Sequence, residues 1–109
     1  MQIRELDLKE LYNIYNLISE LYTELSYEEF EDLIYDMRYM DYKMIGIFEK
    51  GLLITYAGVC IQTTLKDKRH LKVFDFITSS KYDKVKYNKA MQEYLVDFAN
   101  VAMCKKVVR

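Results

Sequence analysis

A chain of 109 residues, half of them hydrophobic and 15% aromatic, carries enough apolar mass for one core; this excludes a disordered chain and sets the expectation of a single domain over residues 1–109. Sixteen basic side chains against seventeen acidic ones give a net charge of −1 at pH 7, so nucleic-acid binding, which needs a basic face, is not expected. There is no proline, and the three glycines, Gly46, Gly51 and Gly58, all lie away from an expected helix start, which leaves no glycine-rich loop to cradle a phosphate.

In chain order, residues 2–6 read as a short strand. Leu8, Leu11, Tyr15, Ile18 and Leu21 or Tyr22 then recur three and four apart, which predicts an amphipathic helix over roughly residues 8–24. Ser26, with Glu29 three residues on, forms a capping box that opens a second helix running to about Arg38, its inner face made by Phe30, Leu33, Ile34 and Met37. The tyrosines Tyr12, Tyr15, Tyr22, Tyr27, Tyr35, Tyr39 and Tyr42 have two readings. They close the rim of a core with their hydroxyls in water, or they wall a ligand site.

Met44–Phe48 and Leu52–Ile61 read as two strands joined by a hairpin turn, Glu49-Lys50-Gly51. Lys66–Arg69 is a charged turn into a strand from Leu71 to Thr78, so the three strands predict an antiparallel meander. After Tyr82 the pattern becomes helical, with Ala90, Met91, Tyr94, Leu95, Phe98 and Val101 or Ala102 inward, and Val107-Val108 begins a fifth strand. The order β-α-α-β-β-β-α-β is α+β, with helices laid against a largely antiparallel sheet.

Cys60 lies in an apolar run and reads as a small core residue, whereas Cys104 falls in a helix-to-strand turn. Two cysteines without a signal-peptide pattern set the expectation of reduced thiols in the cytoplasm. No apolar run has the length of a membrane span, and His70 with two scattered cysteines lacks zinc spacing, so neither a membrane nor a metal is expected. Lys66, Lys68, Arg69, Lys72, Lys81, Lys84, Lys86 and Lys89 concentrate positive charge in the second half, while residues 20–41 are acidic. The basic half is either a solvated face or an attraction for a small phosphorylated ligand.

Phe74-Asp75-Phe76-Ile77-Thr78, Lys89-Ala90-Met91 and Cys104-Lys105-Lys106-Val107-Val108 follow one another as strand, helix and returning strand. That succession resembles the acyl-CoA-binding core of the GNAT N-acetyltransferases, in which "V-x-D-L-V-T" leads into "Y-R-G-K-G-x-G-K-A-L" and ends on "C-x-x-V". The resemblance covers essentially the whole chain and implies the first five strands and three helices of the GNAT fold, without the last strand-helix-strand. It implies acetyl-CoA as a substrate, with the pantetheine arm along the main chain of Phe76, Ile77 and Thr78 and the pyrophosphate at Lys84, Lys86, Tyr87, Asn88 and Lys89. Lys84, Lys86 and Asn88 stand where the family has small residues, mostly glycine, and Asp83 where it has arginine or glutamine, so weak or absent activity is expected. Asp75 is the candidate base that would take a proton from the acceptor amine; as a lone strand carboxylate it also reads as a surface or paired residue. The alternative to an acetyltransferase is a non-catalytic GNAT-like scaffold that binds itself or a protein partner, and a homodimer through the open C-terminal edge is expected.

Overall fold

The computed structural model describes residues 1–109 and contains the expected elements in the expected order. The strands are β1 (Gln2–Glu5), β2 (Lys43–Glu49), β3 (Leu52–Thr64), β4 (Lys68–Thr78) and β5 (Val107–Val108). The α-helices are α1 (Leu11–Ile18), α2 (Tyr27–Met37) and α3 (Lys84–Val101). The strands lie side by side in sequence order; the first three pairings are antiparallel, and β5 runs parallel to β4 over Leu71–Val107 and Lys72–Val108.

The sheet carries a separate apolar layer on each face, because successive strand side chains point to opposite sides. On one side Ile45, Ile47, Ala57, Val59, Leu71 and Val73 meet Tyr87, Met91, Leu95 and Ala99 of α3. On the other, Met44, Phe48 and Tyr56 meet Leu11, Ile14, Leu17 and Ile18 of α1 and Phe30 and Ile34 of α2. The β2–β3 hairpin turns through Lys50 and Gly51, at φ 50° and 80°, the pair of left-handed residues that a two-residue turn of the favoured hand requires.

The first helix is shorter than its periodicity predicts. A 3-10 turn over Leu8–Glu10 comes first, closed by Asp7 and Glu10 bonding reciprocally, and Arg4 grips Glu10 at 2.6 Å. α1 then stops at Ile18. Past it, Glu20 accepts from the Ser80 N–H at 3.1 Å, Tyr22 reaches Asp75, and the Tyr15 hydroxyl donates to the Leu25 carbonyl at 2.7 Å. These tertiary bonds hold residues 19–25 in turns where propensity alone would continue the helix. At α2, Ser26 Oγ accepts from the Glu29 N–H at 3.1 Å, so the N-cap forms with only one of the two capping-box bonds. α3 buries Tyr87, Met91, Leu95 and Ala99, a stripe that includes the expected Met91 and Leu95 but leaves Val101 exposed.

A bulge in β4 decides where the site forms. Gly58 pairs with Asp75 and Val59 with Val73, so Phe74 is an extra residue with no partner. Strict alternation would put Asp75 on the face of Leu71 and Val73. The bulge shifts the phase by one: Val73 and Phe76 face α3, whereas Asp75 and Ile77 face α1 and α2.

Candidate functional site

Asp75 stands on β4 directly after the bulge, in the lining of a pocket of about 270 Å³. Its walls come from the end of α1 and the segment after it (Ile18, Tyr22, Leu25), from α2 (Phe30, Leu33, Ile34, Met37), and from Tyr42 and Tyr56 beside the sheet. One carboxylate oxygen of Asp75 accepts from the Tyr22 hydroxyl at 2.5 Å and the other from the Tyr42 hydroxyl at 2.6 Å. Tyr42 and Tyr56 share a further hydrogen bond at 2.8 Å. No lysine or arginine pairs with Asp75.

Local sequence builds this cluster from three directions. α2 leaves through a 3-10 turn over Arg38–Met40, and Asp41 adopts a left-handed conformation (φ 59°) that swings Tyr42 over the sheet. Tyr42 fits there because Gly58 has no side chain; a Cβ at that position would fall inside the Tyr42 ring and hydroxyl. Tyr22 arrives because α1 has already ended. Burial, and then the neighbouring Tyr56 and Asp75, push the Tyr42 hydroxyl far above the usual tyrosine range. Burial raises Tyr56 likewise, and the hydrogen bond to Asp75 followed by burial pushes Tyr22 up to about 12. At neutral pH all three are therefore protonated donors, and a carboxylate with two oxygens has lone pairs left for a third donor.

A second region borders the first across β4. β4 pairs with β5 only at Leu71 and Lys72, so its outer edge from Val73 to Thr78 carries no strand. Phe76 is half-buried, packed on the α3 side, with the Arg109 guanidinium 4.3 Å above its ring; Ile77 is half-buried on the other side. Thr78 is buried, donates to Asn88 Oδ1 at 2.6 Å and shares a 2.8 Å bond with Thr55. The strand thus delivers its main chain to the first turn of α3, where Lys84, Lys86 and Lys89 are exposed. Tyr87 is buried instead, its ring 5.1 Å below the Lys86 ammonium and its hydroxyl donating to Glu49 at 2.8 Å.

The loop into α3 has an anion of its own. Asp83 caps the helix by accepting from the Lys86 N–H at 3.2 Å, and Glu20 holds the Ser80 N–H. The N–H groups of Asp83, Lys84 and Val85 remain without an acceptor in the chain, the unpaired donors that a helix start presents to an anion. Lys84, Lys86 and three free donors attract a phosphate there, and the carboxylates of Asp83 and Glu20 oppose it. Cys60 takes no part: it is buried, and burial pushes its thiol up to about 11, so it is an inert core residue as its sequence context predicts.

No family model and no curated protein sequence matches the chain. Solved structures do. A GNAT family acetyltransferase from Staphylococcus aureus superposes with a TM-score of 0.85 over 98% of this chain and 83% of its own, at 14% identity. The fold is that of the GNAT acetyltransferases. Glucosamine-6-phosphate N-acetyltransferase from Arabidopsis thaliana matches with a TM-score of 0.76 over 98% of this chain and 79% of its own, at 22% identity. An aminoglycoside N-acetyltransferase solved in complex with CoA matches with a TM-score of 0.83, covering 98% of this chain and 74% of its own, at 11% identity.

Within this GNAT fold the sequence reading singled out Asp75 but not its partners. Tyr22 and Tyr42 belonged to a stripe of seven tyrosines with nothing to separate two of them from the rest. The one available signal was Gly58 in the middle of an apolar strand, since an isolated strand glycine marks a close approach. The structure brings Asp75 beside the main chain of Phe76, Ile77 and Thr78 on one strand and sets Lys84, Lys86 and Lys89 at the next helix start; Asn88 and Tyr87 are hydrogen-bonded away from that turn, to Thr78 on β4 and Glu49 on β2.

Proposed function

We propose that the chain is an N-acetyltransferase of GNAT type, moving an acetyl group from acetyl-CoA to an amine held at Asp75. The observation that carries this reading is the Asp75 carboxylate, gripped by Tyr22 and Tyr42 in a pocket that adjoins the unpaired edge of β4. An extended pantetheine arm would pair with the main chain of Phe76–Thr78 as an added strand, an interaction indifferent to side-chain identity. Lys84, Lys86 and the free N–H groups at the start of α3 would hold the phosphates.

Amine and thioester would then meet at β4. An alkylammonium gives one proton to Asp75, directly or through water, and the freed nitrogen attacks the thioester carbonyl carbon. The C–N bond forms, the C–S bond breaks, and the electron pair leaves on the CoA sulfur. The second proton lost by the nitrogen ends on that sulfur, while the first passes from Asp75 to solvent. No helix of the chain is long and apolar enough to cross a membrane, and we assign the protein to the cytoplasm, a reducing compartment that suits its two free thiols.

A second reading, a GNAT-fold scaffold without catalysis, is favoured by one feature: Asp83 and Glu20 put carboxylates where phosphates would bind. Calorimetric titration with CoA separates the two. The acetyltransferase reading expects weak binding that falls as salt rises, because lysine–phosphate attraction is screened, together with thiol release from acetyl-CoA when an amine is supplied. Absence of heat at millimolar CoA would leave the scaffold.

A further inference from the structure

We infer that the pocket at Asp75 selects a small primary amine carried on an apolar, aromatic-sized body. The inference rests on reading this pocket as the acceptor site, and it adds the chemical class that the site takes. Nine of the ten lining residues are hydrophobic, and Asp75 supplies the only formal charge. A single uncompensated carboxylate matches a single ammonium. A second cationic group on the ligand would lie against Leu33, Ile34 and Met37 with nothing to pair it.

Polyols fit no better. The tyrosine hydroxyls are the only other polar side-chain groups in the lining, and the proton of each is already committed: Tyr22 and Tyr42 to Asp75, Tyr56 to Tyr42. The hydroxyls of an aminosugar would be desolvated against Phe30, Leu33 and Met37 without partners. A phosphorylated amine would meet Asp75 as a like charge, with no lysine or arginine in the lining to answer it. At about 270 Å³ the space lies just below the range of drug-sized ligand sites, which favours a body of one ring or a short branched chain. The exposed Leu33 and Tyr22 leave the pocket open between α2 and the segment after α1, the side from which such a ligand enters.

The test needs no CoA. The protein is titrated at pH 7 with 2-phenylethylamine, with its neutral analogue 2-phenylethanol, with glucosamine and with spermidine, by ligand-observed NMR or calorimetry. The amine should bind at least about tenfold more tightly than the alcohol, consistent with a charge-assisted hydrogen bond, and glucosamine and spermidine more weakly than either. Asp75→Asn should reduce the amine to the affinity of the alcohol while leaving the alcohol unchanged. Leu33→Lys, at an exposed position that tolerates a long side chain, should abolish amine binding by like-charge repulsion even if the Asp75 variant does not fold. Equal affinity for amine and alcohol, tighter binding of glucosamine or spermidine, or no binding of 2-phenylethylamine by the folded protein would each overturn the inference. Acetyl transfer is scored separately. If the amine binds but acetyl-CoA is never consumed, the acyltransfer reading fails and the ligand class stands; if glucosamine is acetylated faster than 2-phenylethylamine, the reverse holds.

Discussion

Asp75 is a residue whose surroundings say more than its identity. A strand carboxylate is ordinarily free in solvent or ion-paired, and here two tyrosine hydroxyls hold it and no cation answers it. The bond from Tyr22 has a consequence for stability that pH can expose. Tyr22 titrates at about 12 in the folded chain against 10 as the ordinary value, so the folded state favours its protonated form. Its contribution is complete below pH 10 and is lost as pH rises from there through about 12. Burial of Tyr42 and Tyr56 acts in the same direction. Tyr22→Phe should cost at most about 1 kcal/mol at neutral pH, since the hydroxyl is partly exposed, and each kcal/mol is worth roughly 4–8 °C in a domain of this size. Melting temperatures measured from pH 8 to 12 should fall less steeply in Tyr22→Phe than in the parent above pH 10. Parallel curves would show that the bond contributes nothing.

At the scale of elements, the start of α3 balances attraction and repulsion for a phosphate. Asp83→Ser keeps an oxygen to cap the Lys86 N–H, so helix stability should hardly change. It removes one of the two carboxylates that oppose an anion at the three free N–H groups, and CoA affinity should rise several-fold, on the order of 1 kcal/mol for a unit charge a few ångströms away in solvent. Affinity unchanged in a calorimetric titration would mean that phosphates bind elsewhere. The same element illustrates what the sequence made legible. The order of strands and helices followed from periodicity, because each element's buried stripe repeats at its own period, as Met91 and Leu95 do in α3. Boundaries and phase did not. α1 ends where Tyr15, Glu20 and Tyr22 find distant partners, and β4 changes phase at Phe74; neither event leaves a trace in a local window. The Tyr87 ring reads as a helix-start residue by position, yet it is buried in the apolar layer under α3, with its hydroxyl on Glu49, far away in the chain.

Taken whole, the molecule places its pocket under α1 and α2 and its lysines at the start of α3, so the two halves of the proposed reaction approach β4 from opposite layers. The far end of α3 is less well covered. Val101 and Met103 are more than 80% exposed and Val96 is half-exposed. We expect this 109-residue chain to form a two-fold dimer through that surface. Sedimentation at micromolar concentration should report twice the monomer mass, and Val101→Lys, which touches no core residue, should restore the monomer. A monomeric parent would end the idea. The bulge at Phe74 has one more consequence at this scale. Whether Asp75 looks toward α1 and α2 or toward α3 depends on nothing in its own chemistry; it depends on Phe74 being left out of the pairing between β3 and β4. The side on which the proposed base stands is thus set by a pairing that is skipped, and a single residue inserted in β3 opposite Phe74, with every tyrosine, lysine and carboxylate left intact, would restore strict alternation and turn Asp75 to the face of Val73.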